Sequence, residues 1–229
     1  MIAIILGILI GLLNFFSEKI SARFSHRSGK ISSFAAGITT SYLFLELLPL
    51  LYVGIGAIKN FVFLLVLIGF SLFHAIELHI YHHQDREKLK LELKEIHSVG
   101  LFLYHFVSGI IIFELSRINP TLAVLFFVPV AINSLFSSLS PEKMHSHARL
   151  QKIIRVMLSL SAILGVLAAS FYRIPAESFN SLLAITVGGM LYIIIRDHLP
   201  RDREEKVSYF LLGAFLYSAI ILASWLFGK

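Results

Sequence analysis

The sequence predicts an all-α membrane protein: an eight-transmembrane-helix bundle built as an inverted repeat. Three observations carry that expectation: a composition too apolar for a soluble fold, basic residues confined to alternate connections, and two stretches that repeat one another. Of the 229 residues 57% are hydrophobic and only 15% charged, with a mean hydropathy of +0.81. A water-soluble domain of this size needs a more polar surface. A helix crossing about 30 Å of hydrocarbon takes roughly 20 residues, so eight of them consume the chain as one transmembrane domain. The absence of cysteine excludes disulfides, thiolate metal sites and cysteine nucleophiles.

The apolar runs place helices near residues 2–18, 33–55, 61–82, 98–117, 121–139, 153–172, 179–199 and 207–227. The first run, Met1 to Phe16, lacks the basic start and small-residue cleavage site of a signal peptide and reads as a membrane helix. Between the third and fourth runs, Asp85 to Ile96 alternates Leu89, Leu91, Leu93 and Ile96 with charges. It reads as a solvated loop rather than a short interfacial helix.

The positions of the basic residues decide what a net charge of +6 means. The first connection carries Lys19, Arg23, Arg27 and Lys30, and the third Arg86, Lys88, Lys90 and Lys94. The fifth carries Lys143, Arg149, Lys152 and Arg155, and the seventh Arg196, Arg201, Arg203 and Lys206. Only Lys59, Arg117, Arg173 and Lys229 lie on the other side. The positive-inside rule therefore puts the odd connections in the cytoplasm and both termini outside, as in a multi-pass protein of the cell membrane. The basicity is topological and implies no nucleic acid.

Gly37 to Pro49, GITTSYLFLELLP, and Gly188 to Pro200, GGMLYIIIRDHLP, each begin with glycine. Each ends in proline twelve residues on, with an acid three before it, Glu46 or Asp197. In the helices that follow, Gly69 to Leu78, GFSLFHAIEL, aligns with Gly213 to Leu222, GAFLYSAIIL. Ile5-Leu6-Gly7 has its counterpart in Ile163-Leu164-Gly165. The expected organisation is a first repeat over residues 1–83, central helices over 98–139, and a second repeat over 153–227. The charge rule runs helix 2 outward and helix 7 inward, so the copies are inverted. Such a pair creates a pseudo-two-fold axis in the membrane plane, an arrangement that permits alternating access around a central site.

These segments resemble the ZIP family of divalent-metal transporters. The resemblance rests on Phe34-Ala35-Ala36-Gly37 through Glu46-Leu47-Leu48-Pro49, on Gly188 to Pro200, on Gly213-Ala214-Phe215-Leu216-Tyr217, and on a third helix carrying Glu77. It implies eight helices with outside termini in a three-two-three inverted arrangement, and transport of zinc or a similar divalent cation. In that family helix 4 carries histidine, asparagine and aspartate ligands before a glycine, and helix 5 a His-Glu-x-Pro motif. Here those places read Tyr104, His105, Ser108, Gly109 and Phe126, Phe127, Val128, Pro129. The glycine and proline scaffold is present, but phenylalanine offers Zn²⁺ no lone pair, so the usual two-metal site cannot form.

The remaining polar groups within apolar runs are site candidates, because burying an ionisable side chain in the bilayer is costly. Glu46 stands in helix 2. His74 and Glu77, three apart on helix 3, share one face. There a carboxylate can orient an imidazole, both can reach one cation, or both can hydrogen-bond across the bundle. His105 and Ser108 share a face of helix 4, His105 where the family has a ligand. Asn133 lies in helix 5. The expected metal site draws on Glu46, His74, Glu77, His105, Ser108 and Asn133, with His79, His82 and His83 collecting metal at the cytoplasmic end of helix 3.

The expected function is thus a divergent ZIP-like divalent-cation transporter. Two alternatives are a non-transporting ZIP-like protein that senses metal or binds a partner, and an intramembrane metal-dependent hydrolase, supported only by His79 and His83 at i, i+4. No phosphate-binding glycine loop, nucleophile elbow or HExxH pattern is present, so the protein does not read as an enzyme. No tightly bound cofactor is expected. The expected partners are the lipid bilayer and a divalent metal ion, and the assembly is compatible with a homodimer.

Overall fold

In hydrocarbon an apolar run of this length has to satisfy its own backbone donors and acceptors, which an α-helix does. A computed structural model of the protein describes residues 1–24, 28–54, 59–83, 86–136, 148–195 and 207–227, and among these all regular structure is helical. The first elements are α1 (Ile2–Phe24) and α2, which runs Ser28–Tyr42, passes through a π-helical turn at Leu43–Leu47 and ends as Leu48–Val53. They are followed by α3 (Phe61–His83), α4 (Arg86–Ile118), α5 (Pro120–Phe136), α6 (Ala148–Phe171), α7 (Ala176–Ile193) and α8 (Val207–Phe227).

Among the described residues four segments, Gly29–Val53, Val99–Ile118, Ile153–Phe171 and Val207–Phe227, are long and apolar enough to cross a membrane. Large apolar side chains such as Ile4, Ile8 and Leu12 on α1, Leu64 and Leu67 on α3, and Leu211 and Phe215 on α8 face outward. In water such a surface would associate, and in lipid it is solvated. The chain is a membrane protein.

Two boundaries correct the sequence reading. The stretch Asp85 to Ile96, expected as a solvated loop, is helical from Arg86 onward and forms the start of α4. It contains no glycine or proline before Gly100 and is rich in Leu, Lys and Glu, all good helix formers. Similarly α1 continues to Phe24, carrying Lys19 and Arg23 into its last turns, where cations suit the negative end of the helix dipole. Between α4 and α5 stands only Asn119. Its side-chain oxygen accepts the Thr121 N–H at 2.9 Å, and Pro120 follows it at a position whose N–H has no helical partner. Residues 137–147 and 196–206, which hold His145, His147, Asp197 and His198, lie outside the described residues.

Helix α2 packs along α8, α3 along α7, and α4 along α6, with α1 against α5 and α6. Glycines set how closely the first three pairs approach. A Cβ on Gly37 would overlap the Phe210 carbonyl oxygen and the Ala214 nitrogen, and one on Gly213 would overlap the Phe34 carbonyl. On the other pair, Gly188 abuts the Val66 carbonyl and the Phe70 nitrogen, and Gly69 the Ile185 carbonyl. The spacing is the same in both, each contact falling three before or one after the partner glycine. Gly109 and Gly165 join α4 to α6 with that spacing too. Lipid tails are as apolar as leucine, so helices associate in a membrane chiefly by this close packing rather than by a hydrophobic drive.

The core lies where α2 meets α4, α5, α7 and α8, around Tyr42, Leu43, Leu47, Ile111, Leu115, Phe126, Leu183 and Met190, all fully buried. Of the four long apolar segments, that of α2 is 61% enclosed and that of α8 only 17%. Helix α2 is therefore central and α8 peripheral.

Gly37→Ala and Gly188→Ala should each destabilise the protein by about 1–3 kcal/mol, because backbone atoms must move apart to admit a methyl group. Gly100→Ala, where nothing lies within 4 Å of the added carbon, should be neutral or stabilising by up to about 1 kcal/mol through helix propensity. Thermal unfolding of the three variants in detergent checks both expectations.

Candidate functional site

Two prolines inside helices shape the polar centre. Pro129 in α5 has no N–H for the carbonyl four residues earlier, which is that of Leu125. The Tyr217 hydroxyl on α8 donates to that carbonyl at 2.6 Å. On α2, Pro49 likewise cannot bond the Leu45 carbonyl, and the turn before it widens. The Leu48 N–H reaches the Leu43 carbonyl, giving the π-helical turn Leu43–Leu47. Such turns re-aim the side chains they carry and occur often at functional sites. Ile194 and Ile195 at the end of α7 are wound the same way.

Tyr42 stands at the entry to the α2 turn. Its ring lies 5.9 Å from Phe126 and 6.3 Å from Tyr217, centroid to centroid. Its hydroxyl is fully buried and, like that of Thr40 two residues earlier, has no hydrogen-bond partner among the described residues. An unpaired buried hydroxyl is expensive in a protein interior and more so at membrane depth. Glu46, one turn beyond Tyr42 and inside the π-helical turn, is also buried. Its carboxylate accepts the Trp225 indole N–H from α8 at 3.1 Å.

Tyr104 opens the second half of the centre, between α4 and α5. Asn133 donates to its hydroxyl at 3.4 Å, and its ring meets the His105 imidazole edge-on at 5.1 Å. Buried His105 places Nδ1 at 2.8 Å from the Leu101 carbonyl, which can only accept, so that nitrogen carries the hydrogen. Nε2 then accepts from the Ser134 hydroxyl at 2.7 Å. The same serine hydroxyl donates to the Val130 carbonyl at 2.9 Å, so its one hydrogen is shared. Ser108 donates within its own helix to the Tyr104 carbonyl at 2.7 Å. Both imidazole nitrogens are thus engaged. A metal could be ligated by Nε2 only after the Ser134 bond breaks.

The expected site residues fall into separate groups. His105, Ser108 and Asn133 gather around Tyr104 on α4 and α5, while Glu46 sits with Trp225 on α2 and α8. Tyr42 lies one turn before Glu46 on α2, its ring against Phe126 of α5 and Tyr217 of α8. His74 is exposed on α3, 6.5 Å from Phe70 and 5.9 Å from Tyr192 between ring centroids. Glu77, His79, His82 and His83 fall in α3, their side chains outside the described residues. Among the described residues no group of three or more His, Asp or Glu lies together as a metal cluster.

Comparison with protein-family models and with characterised proteins returns no match. Residue chemistry therefore carries the functional reading.

Sequence reasoning had not singled out Tyr42, Tyr217 and Trp225 as polar groups of the centre. For Tyr217 a signal existed, because a proline inside a helix marks the carbonyl four residues earlier as one needing a donor. No comparable signal pairs Trp225 with Glu46, since the register between α2 and α8 decides it.

Removing the Tyr217 hydroxyl strands the buried Leu125 carbonyl, so Tyr217→Phe should destabilise by about 1–3 kcal/mol. Tyr42→Phe deletes a hydroxyl with no partner and should leave stability unchanged or raised. Unfolding midpoints of the two variants in one detergent test the contrast.

Proposed function

We propose that the chain is a divergent ZIP-like transporter of a divalent cation, zinc or a related ion, working by alternating access in the cell membrane with both termini outside. The observation that carries this reading is the equivalence of two glycine-packed pairs. Gly37 and Gly188 occupy matched places in the sequence repeat, as do Gly69 and Gly213. Exchanging the two copies turns the α2–α8 contact into the α7–α3 contact, glycine for glycine and offset for offset. The π-helical winding begins six residues before the repeat's proline in both copies, at Leu43 and at Ile194. Both features support an inverted repeat of eight spanning helices, the architecture in which a carrier exchanges access around a central site.

The cargo pathway in this reading runs along the polar line from Glu46 past Tyr42 and Tyr104 to Asn133, with His105 beside it. Glu46 supplies the charge that an unhydrated cation requires, and the unpaired Tyr42 hydroxyl supplies an oxygen lone pair. His105 contributes a nitrogen once Ser134 lets go. With no nucleotide-binding motif, the ion's own gradient drives transport.

A second reading is favoured by the engagement of both His105 nitrogens and by Phe126 packed on Tyr42: a non-transporting ZIP-like protein that senses metal or holds a partner. Zinc uptake into vesicles containing the purified protein separates the two. Uptake above that of empty vesicles is expected for the natural chain. It should fall about tenfold or more in Glu46→Ala and in His105→Ala, the scale of one lost charged or nitrogen ligand. Equal uptake by all three proteins would remove both residues from the pathway. Uptake by none would leave the second reading.

A further inference from the structure

One cleft lies apart from this centre, between the C-terminal ends of α4 and α6. The two helices are in backbone contact at Gly109 and Gly165. One turn further along each, Phe113 and Ala169 begin a cleft of about 530 Å³, completed by Arg117, Ser170, Phe171, Tyr172 and Arg173. Phe171 and Tyr172 are almost wholly exposed, at 85% and 79%. They stand at the end of an apolar spanning segment, where aromatic side chains mark the interface between hydrocarbon and water.

The charge of the cleft is unusual for its side of the protein. That side holds only Lys59, Arg117, Arg173 and Lys229 among 20 basic residues, and two of the four meet here. Arg117 is partly committed, its Nη1 lying 3.4 Å from the Glu114 carboxylate one turn earlier. With both Nη1 hydrogens directed to that carboxylate, the Nε–H and the two Nη2 hydrogens remain to offer. With Glu114 counted, the site has one net positive charge.

We infer that this cleft binds the anionic phosphodiester headgroup of a membrane lipid, with Arg117 and Arg173 on the phosphate and Phe113, Phe171 and Tyr172 beside the glycerol and the first methylenes. Both guanidinium groups stand at the end of a spanning segment, at the headgroup level of the bilayer, where lipid phosphate is the anion at hand. The single net charge matches a phosphodiester, whereas a phosphate monoester carries roughly −1.5 to −2. Arginine is suited to phosphate because its fork offers two parallel hydrogen bonds. The apolar outward faces of both helices, including Leu103 on α4 and Leu164 and Leu167 on α6, run away from the cleft into the region that acyl chains occupy. A soluble anion would gain nothing from them. The site does not depend on the transport reading.

Retention of dioleoylphosphatidylglycerol by the purified protein in mild detergent, followed by native mass spectrometry, tests the inference. The natural chain should retain it in preference to dioleoylphosphatidylcholine. The double variant Arg117→Gln, Arg173→Gln should bind about twenty-five-fold more weakly, at about fivefold per basic residue. Glu114→Gln frees Arg117 and should bind more tightly, a gain that misfolding cannot produce. Undiminished retention by the double variant, equal retention of the zwitterionic lipid, or weaker binding by Glu114→Gln would overturn the inference. Displacement of the lipid by millimolar inorganic phosphate would reassign the cleft to a soluble anion and likewise overturn it.

Discussion

Close backbone contact at paired glycines is the constraint on which the rest of this protein depends. With no hydrophobic gain available between helices already dissolved in lipid, α2 and α8, α3 and α7, and α4 and α6 are held by dense packing across Gly37–Gly213, Gly69–Gly188 and Gly109–Gly165. Part of the polar centre is placed by those contacts. The α2–α8 contact carries Trp225 to Glu46 and Tyr217 towards the carbonyl that Pro129 leaves open on α5. In water the same chain would gain nothing from gathering its apolar faces outward. Here the outward face is the solvated one, and the interior is where small and polar residues concentrate.

The polar centre follows from how prolines and helices coexist at membrane depth. Each proline removes a donor, and the structure answers in two ways. At Leu125 a side chain from another helix takes the vacated acceptor, whereas around Leu45 the helix itself rewinds. The second answer brings Glu46 inward within one turn of Tyr42. Because Tyr42 and Thr40 keep buried hydroxyls with no partner among the described residues, the neighbourhood of α2 holds unspent hydrogen-bonding capacity. His105 is the opposite case, its ring locked between Leu101 and Ser134.

Hydropathy alone located the helices well, and Phe61 and Val207 start α3 and α8 where the apolar runs start. It failed at Arg86 to Ile96, where charge was taken for solvation although Leu, Lys and Glu without glycine or proline favour a continuous helix. The glycines and the acid-x-x-Pro segments were legible because they interrupt a leucine-rich background. Tyr42, Tyr217 and Trp225 were not, because an aromatic residue in an apolar run looks the same whether it faces lipid or a carboxylate. Their partners are 84 to 179 residues away in sequence or on another helix, and only the register between helices, fixed by tertiary packing, brings them together. His74 illustrates the converse. Its spacing with Glu77 suggested a shared inward task, yet it faces outward beside Phe70 and Tyr192.

The matched glycines also dictate which surfaces can slip. A slide of α2 along α8 by one turn would put the Cβ of Ser33 or Ser41 where only a hydrogen fits, and would bring Tyr209 or Tyr217 against Phe34 in place of Gly213. On the other side Leu65 or Phe73 would replace Gly69 against α7. Each pair is therefore a ratchet with a single tooth, engaged at one register. Rigid units of two helices result, and a large movement of the bundle shears along the seams between the units, where α2 meets α7 and α4 meets α3 and α7, and along the contact of α2 with α5.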